Sequence, residues 1–286
     1  MAKLVSVLGV PHDPTLPAAL RPGSASIGSD TAQTARAGEL IERQRHALAA
    51  ARPDAIVVVA GDHLDQWFLD NMPAFMIGKA ERATGPFADE RRAFGLEPVD
   101  LPTEGDLARH LLRDGFEHGV DFSYSDEYTL DHAFTVPLSL VRPGHDLPVV
   151  PVFTNILVPP VPTARRFYDV GRALRAGIDS WAGGRVAVIA TGHFTNNVGG
   201  PRMLDGARTP ITDWDTRTLA LIEAWDLDTL IAESSYEALD HVGHATPAFL
   251  DLILAFGLAG AKPSWHELVI GPGPALPFFA WETEAL

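Results

Sequence analysis

Three aliphatic runs, Leu4-Val-Ser-Val-Leu-Gly-Val-Pro-His12, Ala55-Ile-Val-Val-Val-Ala-Gly-Asp62-His63 and Val186-Ala-Val-Ile-Ala-Thr-Gly-His193, each close on a histidine. Runs that are apolar at nearly every position, not at alternate ones, suit strands buried on both faces of a parallel sheet. The C-terminal edge of such a sheet is where α/β proteins collect their chemistry, and imidazole is the commonest metal ligand. The three histidines therefore mark one candidate site.

Helical patterns alternate with the runs. Ala32 to Ala51 carries Ala, Leu, Ile, Arg and Glu at helical spacing and stops at Arg52-Pro53-Asp54. Further helices are expected from near Thr103 to Gly115, over Thr163–Trp181 and Thr212–Trp225, and from Pro247 to Leu258, where Pro opens the first turn. Phe122–Tyr128 reads as a short strand or an edge. Leu147-Pro-Val-Val-Pro-Val-Phe-Thr-Asn155 reads as a buried strand, its prolines favouring a short or edge position. The alternation predicts an α/β protein, a three-layer αβα sandwich with a mostly parallel central sheet, with residues 1–286 as a single domain. The loop Thr15–Asp30 follows His12 as an active-site loop would. The aromatic and Met-rich stretch Gln66–Gly78 either packs in the core or paves a pocket.

Composition narrows the chemistry. With no cysteine there is neither a disulfide nor a thiolate site, so any metal falls to His, Asp and Glu. A net charge of −15 disfavours nucleic acid and anionic membrane surfaces as partners. Apolar runs of about ten residues are too short to span a bilayer, and the expectation is a cytoplasmic protein. No P-loop or Gly-x-Ser-x-Gly elbow occurs, and Gly199-Gly-Pro-Arg202 and Gly271-Pro-Gly-Pro274 read as turns.

Along nearly its whole length the chain resembles the class III (LigB-type) extradiol ring-cleavage dioxygenases. The likeness rests on the strand ending in His12, on Gly-Asp62-His63 with the following Phe-Leu-Asp-Asn-Met-Pro-Ala-Phe, on Leu130-Asp131-His132-Ala-Phe-Thr-Val-Pro-Leu, on Leu147–Asn155 and on Val186–Gly192. The resemblance implies a non-haem Fe(II) centre, with Mn or Zn as alternatives, held by His12 and His63 with a late glutamate. It implies a small catechol-like aromatic substrate, dioxygen as co-substrate, and a pocket histidine that handles protons. It also implies a homo-oligomer or pairing with a second subunit.

Two departures stand out. The family pattern Gly-Gly-Leu-Ser-His is here Gly192-His193-Phe194-Thr195-Asn196, which puts Asn196 at the acid–base position. An amide cannot shuttle a proton near neutral pH, and His193 is the alternative. Where the family has its metal-binding Glu, Gly243-His-Ala-Thr-Pro-Ala248 supplies a methyl group, leaving His244, Glu237, Asp240 or Asp251 as possible third ligands. A water or a substrate oxygen could equally fill that position. Asp131-His132 is read as a catalytic-pocket pair, or else as a loop pair tying Tyr124–Tyr128 to the next helix. Asp13 and Asp62, beside the expected ligands, are either acceptors for them or solvated loop acids. Arg202 is a candidate for binding a substrate carboxylate. The expected function is a metal-dependent aromatic dioxygenase. The alternatives are a non-catalytic assembly subunit and a metal-assisted hydrolase or lyase on the same fold.

Overall fold

The computed structural model describes residues 3–21, 31–142, 144, 146–197, 211–271, 274–283 and 286. Among the described residues ten strands form in chain order: β1 (Lys3–Gly9), β2 (Ala55–Gly61), β3 (Phe75–Gly78), β4 (Arg82–Gly85), β5 (Val99–Pro102), β6 (Ser123–Ser125), β7 (Val149–Thr154), β8 (Arg185–Ala190), β9 (Trp265–Val269) and β10 (Leu276–Trp281). Eight of them make one sheet in the order β6-β3-β7-β2-β8-β1-β10-β9, while β4 and β5 pair separately. The centre, β7-β2-β8-β1, is parallel throughout. Antiparallel ladders occur where β3 meets β7 and where β10 meets β1 and β9.

The apolar runs follow from burial on both faces. Val57 and Val59 of β2 pack with residues of the helices Gly105–Glu117, Ala164–Ser180 and Phe249–Ala259. Ile56, Val58 and Ala60 join the opposite layer, beside the helices Thr31–Ala51 and His132–Val141. Every residue of Phe249–Ala259 is buried, and each large apolar side chain there contributes roughly 1.5–3 kcal/mol. This helix meets Ala164–Ser180 almost backbone to backbone. A Cβ on Gly171 would lie 2.0 Å from the Leu254 carbonyl oxygen, and one on Gly257 would lie 2.1 Å from that of Tyr168.

Two local expectations are corrected. β7 is an interior strand despite Pro151, because the four-residue β3 pairs only with Val152–Thr154 and makes no ladder contact at the proline. The helix expected from Pro247 begins as a 3-10 turn, Thr246–Ala248, and becomes α-helical at Phe249. Phe122–Tyr128 does contain an edge strand, β6. In the aromatic stretch, Phe75–Ile77 enter the core as part of β3, whereas Phe68 and Leu69 are exposed on the loop after His63. Among the described residues no helix is long and apolar enough to cross a membrane.

Candidate metal centre

The site forms where β1, β2 and β8 run out side by side. The Val10 N–H donates to the Ala190 carbonyl (3.0 Å), and two residues later His12 is fully buried. Past β2, the Asp62 carboxylate accepts from the N–H groups of Leu64 (3.1 Å), Gln66 (3.2 Å) and Trp67 (3.1 Å), winding the loop that carries His63. Past β8, the Thr191 N–H reaches the Val59 carbonyl (3.1 Å) and His193 follows. A fourth histidine comes from outside these strand ends. Asp131 is the N-cap of the helix His132–Val141, its Oδ1 accepting the Ala133 N–H (2.8 Å), so the cap fixes where His132 stands.

One ligand atom each from His12, His63 and His132 lie within 4.8 Å of one another. The His63 and His132 rings are stacked at 4.4 Å between centroids, with His12 at 5.4 and 5.8 Å from them. His193 lies against His12 at 4.2 Å. Two carboxylates orient two of these rings. Asp131 Oδ2 accepts from the His63 backbone N–H (3.2 Å) and pairs with His63 Nδ1 (2.8 Å). Glu90, in the helix Ala88–Phe94, accepts the His132 N–H (3.1 Å), pairs with His132 Nδ1 (2.5 Å) and also takes the Phe87 N–H (3.1 Å). Each Nδ1 facing a carboxylate carries the proton, which leaves Nε2 as a lone-pair donor.

Burial, and then the neighbouring His193, His63 and His132, hold His12 well below the ordinary histidine range. Burial with His63 and His132 nearby presses His193 down to about 3. Burial opposes a charge on His63, but Asp131, helped by Asp62 and Asp65, more than offsets it and raises this imidazole. Asp131 is likewise buried, yet His63 and His132 hold it below the usual carboxylate range. Asp62 is pushed up to about 6 by burial and Asp131, and Asp65 to about 6 by burial, Glu90 and Asp131. The site thus presents clustered imidazoles, with His12 and His193 held neutral, inside an acidic surround, a donor set suited to a divalent cation. Both ring nitrogens of His12 are buried without a hydrogen-bond partner, and a bound cation would satisfy one of them.

The four residues considered as third ligands lie outside this group. His244 is exposed and faces Asp240 at 3.7 Å, and Glu237 is exposed. Asp251 is buried under the strand ends, where its Oδ1 accepts from Thr154 Oγ1 (2.7 Å) and burial raises it to about 7. Asn196 is buried and tied to the turn before Phe249. Its N–H donates to Thr246 Oγ1 (3.1 Å) and its carbonyl accepts from Ala245 (3.0 Å). Asp13 closes its own loop, accepting the Thr15 N–H (2.8 Å). Arg202 and the Gly199-Gly-Pro-Arg202 turn fall outside the described residues. Glu90 had no sequence signal as a histidine partner, since 42 positions separate it from His132.

Residues 6–271 match a family described as the catalytic LigB subunit of aromatic ring-opening dioxygenase. A 2,3-dihydroxyphenylpropionate/2,3-dihydroxicinnamic acid 1,2-dioxygenase of Klebsiella pneumoniae is 26% identical over 269 residues, covering 80% of this chain and 83% of that protein. A protein of the same name from Photorhabdus laumondii is 34% identical over 123 residues, 43% of this chain but only 37% of that relative's length. A gallate dioxygenase of Pseudomonas putida is 36% identical over 135 residues, 45% of this chain and 38% of that protein. The fold also matches the crystal structure of an uncharacterized protein of Escherichia coli K12, with a TM-score of 0.57 at 16% identity over 96% of this chain and 99% of that one.

Proposed function

The chain belongs to the LigB family of aromatic ring-opening dioxygenases, and from that premise we propose that it is a non-haem metal enzyme that opens the ring of a catechol-type diol with dioxygen, Fe(II) being the preferred metal. The observation that carries this reading is the gathering of buried His12 with His63 and His132 at the sheet edge, one ligand atom of each within 4.8 Å of the others. When bound, the metal would supply adjacent coordination positions for a vicinal diol and dioxygen and a path for electrons between them.

His12 and His63 would hold the ion, Asp131 fixing the His63 ring through Nδ1 and so leaving its Nε2 as the donor. His193, neutral and beside His12, is placed to accept a hydroxyl proton from the diol as it binds. Asn196 has its backbone committed to the 243–246 turn, and its role is to hold that turn in place. Phe94, 6.1 Å from the His132 ring, and the exposed Leu64, Phe68 and Leu69 of the loop beyond His63 provide apolar surface suited to an aromatic ring. Retention of His12 and His63, with the orienting Asp131 still in place, favours an active chain over an assembly subunit that has shed its chemistry.

The test is anaerobic loading with Fe(II), followed by oxygen uptake against a panel of catechols with and without carboxylated side chains. Uptake matched mole for mole by loss of one diol is the expected result. Background uptake across the panel, with the metal bound, refutes the reading.

A further inference from the structure

Resting on that reading, we propose that the third protein ligand is His132, so that the ion sits on a face of three imidazoles and its charge is balanced from behind by Glu90 and Asp131. A nitrogen bound at about 2.1 Å puts its ring centroid about 3.2 Å from the ion, so rings separated by roughly 90–110° lie about 4.6–5.3 Å apart. The observed separations, 4.4, 5.4 and 5.8 Å, each fall within about half an ångström of that range, so closing the three rings on one ion takes only small side-chain adjustments.

The second argument is the far side of each ring. A ligating histidine characteristically gives its other N–H to a carboxylate, which fixes the tautomer and raises donor strength. His63 has that partner in Asp131, and His132 has it in Glu90. Glu90 is itself anchored, because its second oxygen takes the Phe87 N–H while the first takes both the ring and the backbone of His132. Within the helix Ala88–Phe94 its second oxygen closes the N-terminal cap on Phe87, and the first is left for the far side of the His132 ring, as a metal-bound histidine requires. Charge balance agrees. Three imidazoles leave a divalent ion with its full charge, and Asp131 and Glu90 supply two negative charges one hydrogen bond away. His193 lies beside His12 yet outside the group, which leaves it free for protons.

Co(II), whose visible absorption reports its ligands, is the probe, with bound metal counted after dialysis. Wild type is expected to keep one Co(II) per chain. His132→Gln and His132→Ala should each weaken binding at least about 100-fold and alter the visible spectrum, and Glu90→Gln should weaken it about 10–100-fold. Asp251→Asn and His244→Ala should leave both readouts unchanged. If both His132 variants, folded by circular dichroism, bind Co(II) within about threefold of wild type with an unaltered spectrum while His63→Ala loses it, this assignment is overturned and the dioxygenase reading stands. If Asp251→Asn is the variant that loses the metal, the third ligand is that carboxylate and the assignment is again overturned. Wild type that holds no Co(II) removes the metal centre and this assignment with it.

Discussion

Asp131 carries two duties at once, and two substitutions separate them. Its Oδ1 caps the helix His132–Val141 through the Ala133 N–H, worth about 1 kcal/mol. Its Oδ2 makes a charge-assisted bond to the buried side of His63, worth about 1.5–3 kcal/mol. Asp131→Ala removes both and should cost roughly 2.5–4 kcal/mol in urea unfolding of the metal-free protein. Asp131→Asn keeps an oxygen for the cap and should cost about 1–2 kcal/mol. Its amide, however, offers a donor where Nδ1–H needs an acceptor, so the imidazole proton moves to Nε2 and the lone pair turns away from the ion. Metal affinity should therefore fall about 10–100-fold in Asp131→Asn despite the milder stability loss. Calorimetric titration with Co(II) beside urea curves reads both effects. An Asn variant that binds like wild type refutes the tautomer argument, and an Ala variant costing under about 1 kcal/mol refutes the energetic one.

Acid should destabilise the metal-free protein first through His12 and His193. Both stay neutral in the fold while the unfolded chain protonates them near 6.5, so the unfolded state binds more protons and stability is lost as pH falls below that value. The slope approaches about 1.4 kcal/mol per pH unit for each, and Asp131 adds in the same direction below its unfolded value of 3.8. His63 works the other way only at higher pH. Its contribution is complete below 6.5 and is lost as pH rises through its elevated value. Urea midpoints from pH 5 to 8 check this, and a flat profile below 6.5 contradicts it. Gly171→Ala forces a methyl group into the Leu254 carbonyl and should cost at least about 2 kcal/mol by thermal unfolding, whereas alanine at the helical Gly105, which would meet only the movable end of the Arg109 side chain at 3.2 Å, should not.

What the sequence revealed follows from how far each signal reaches. The central strands were legible because burial on two faces leaves an unbroken apolar run, and the histidines at their ends stood out against it. The interior place of β7 was hidden, because whether Pro151 is tolerated depends on β3 being too short to reach it. The strands β4 and β9 carry mixed patterns set by partners distant in sequence, and no run announced them, whereas β10 is an apolar run, Leu276–Trp281, whose proline and short length hid it. In the site, Asp131-His132 was visible as a pair, but the acid belonging to His132 is Glu90, which only the fold brings within hydrogen-bond distance. The search for a replacement ligand near Ala248 looked along one helix, whereas the third imidazole of the cluster comes from the opposite side of the sheet.

The most direct test is an anomalous difference map from a crystal grown with Fe(II) or Mn(II) under anaerobic conditions. The account predicts a single strong peak about 2.1 Å from one nitrogen each of His12, His63 and His132, with Glu90 and Asp131 still on the far sides of their rings. A peak elsewhere, or none at full metal loading, contradicts it.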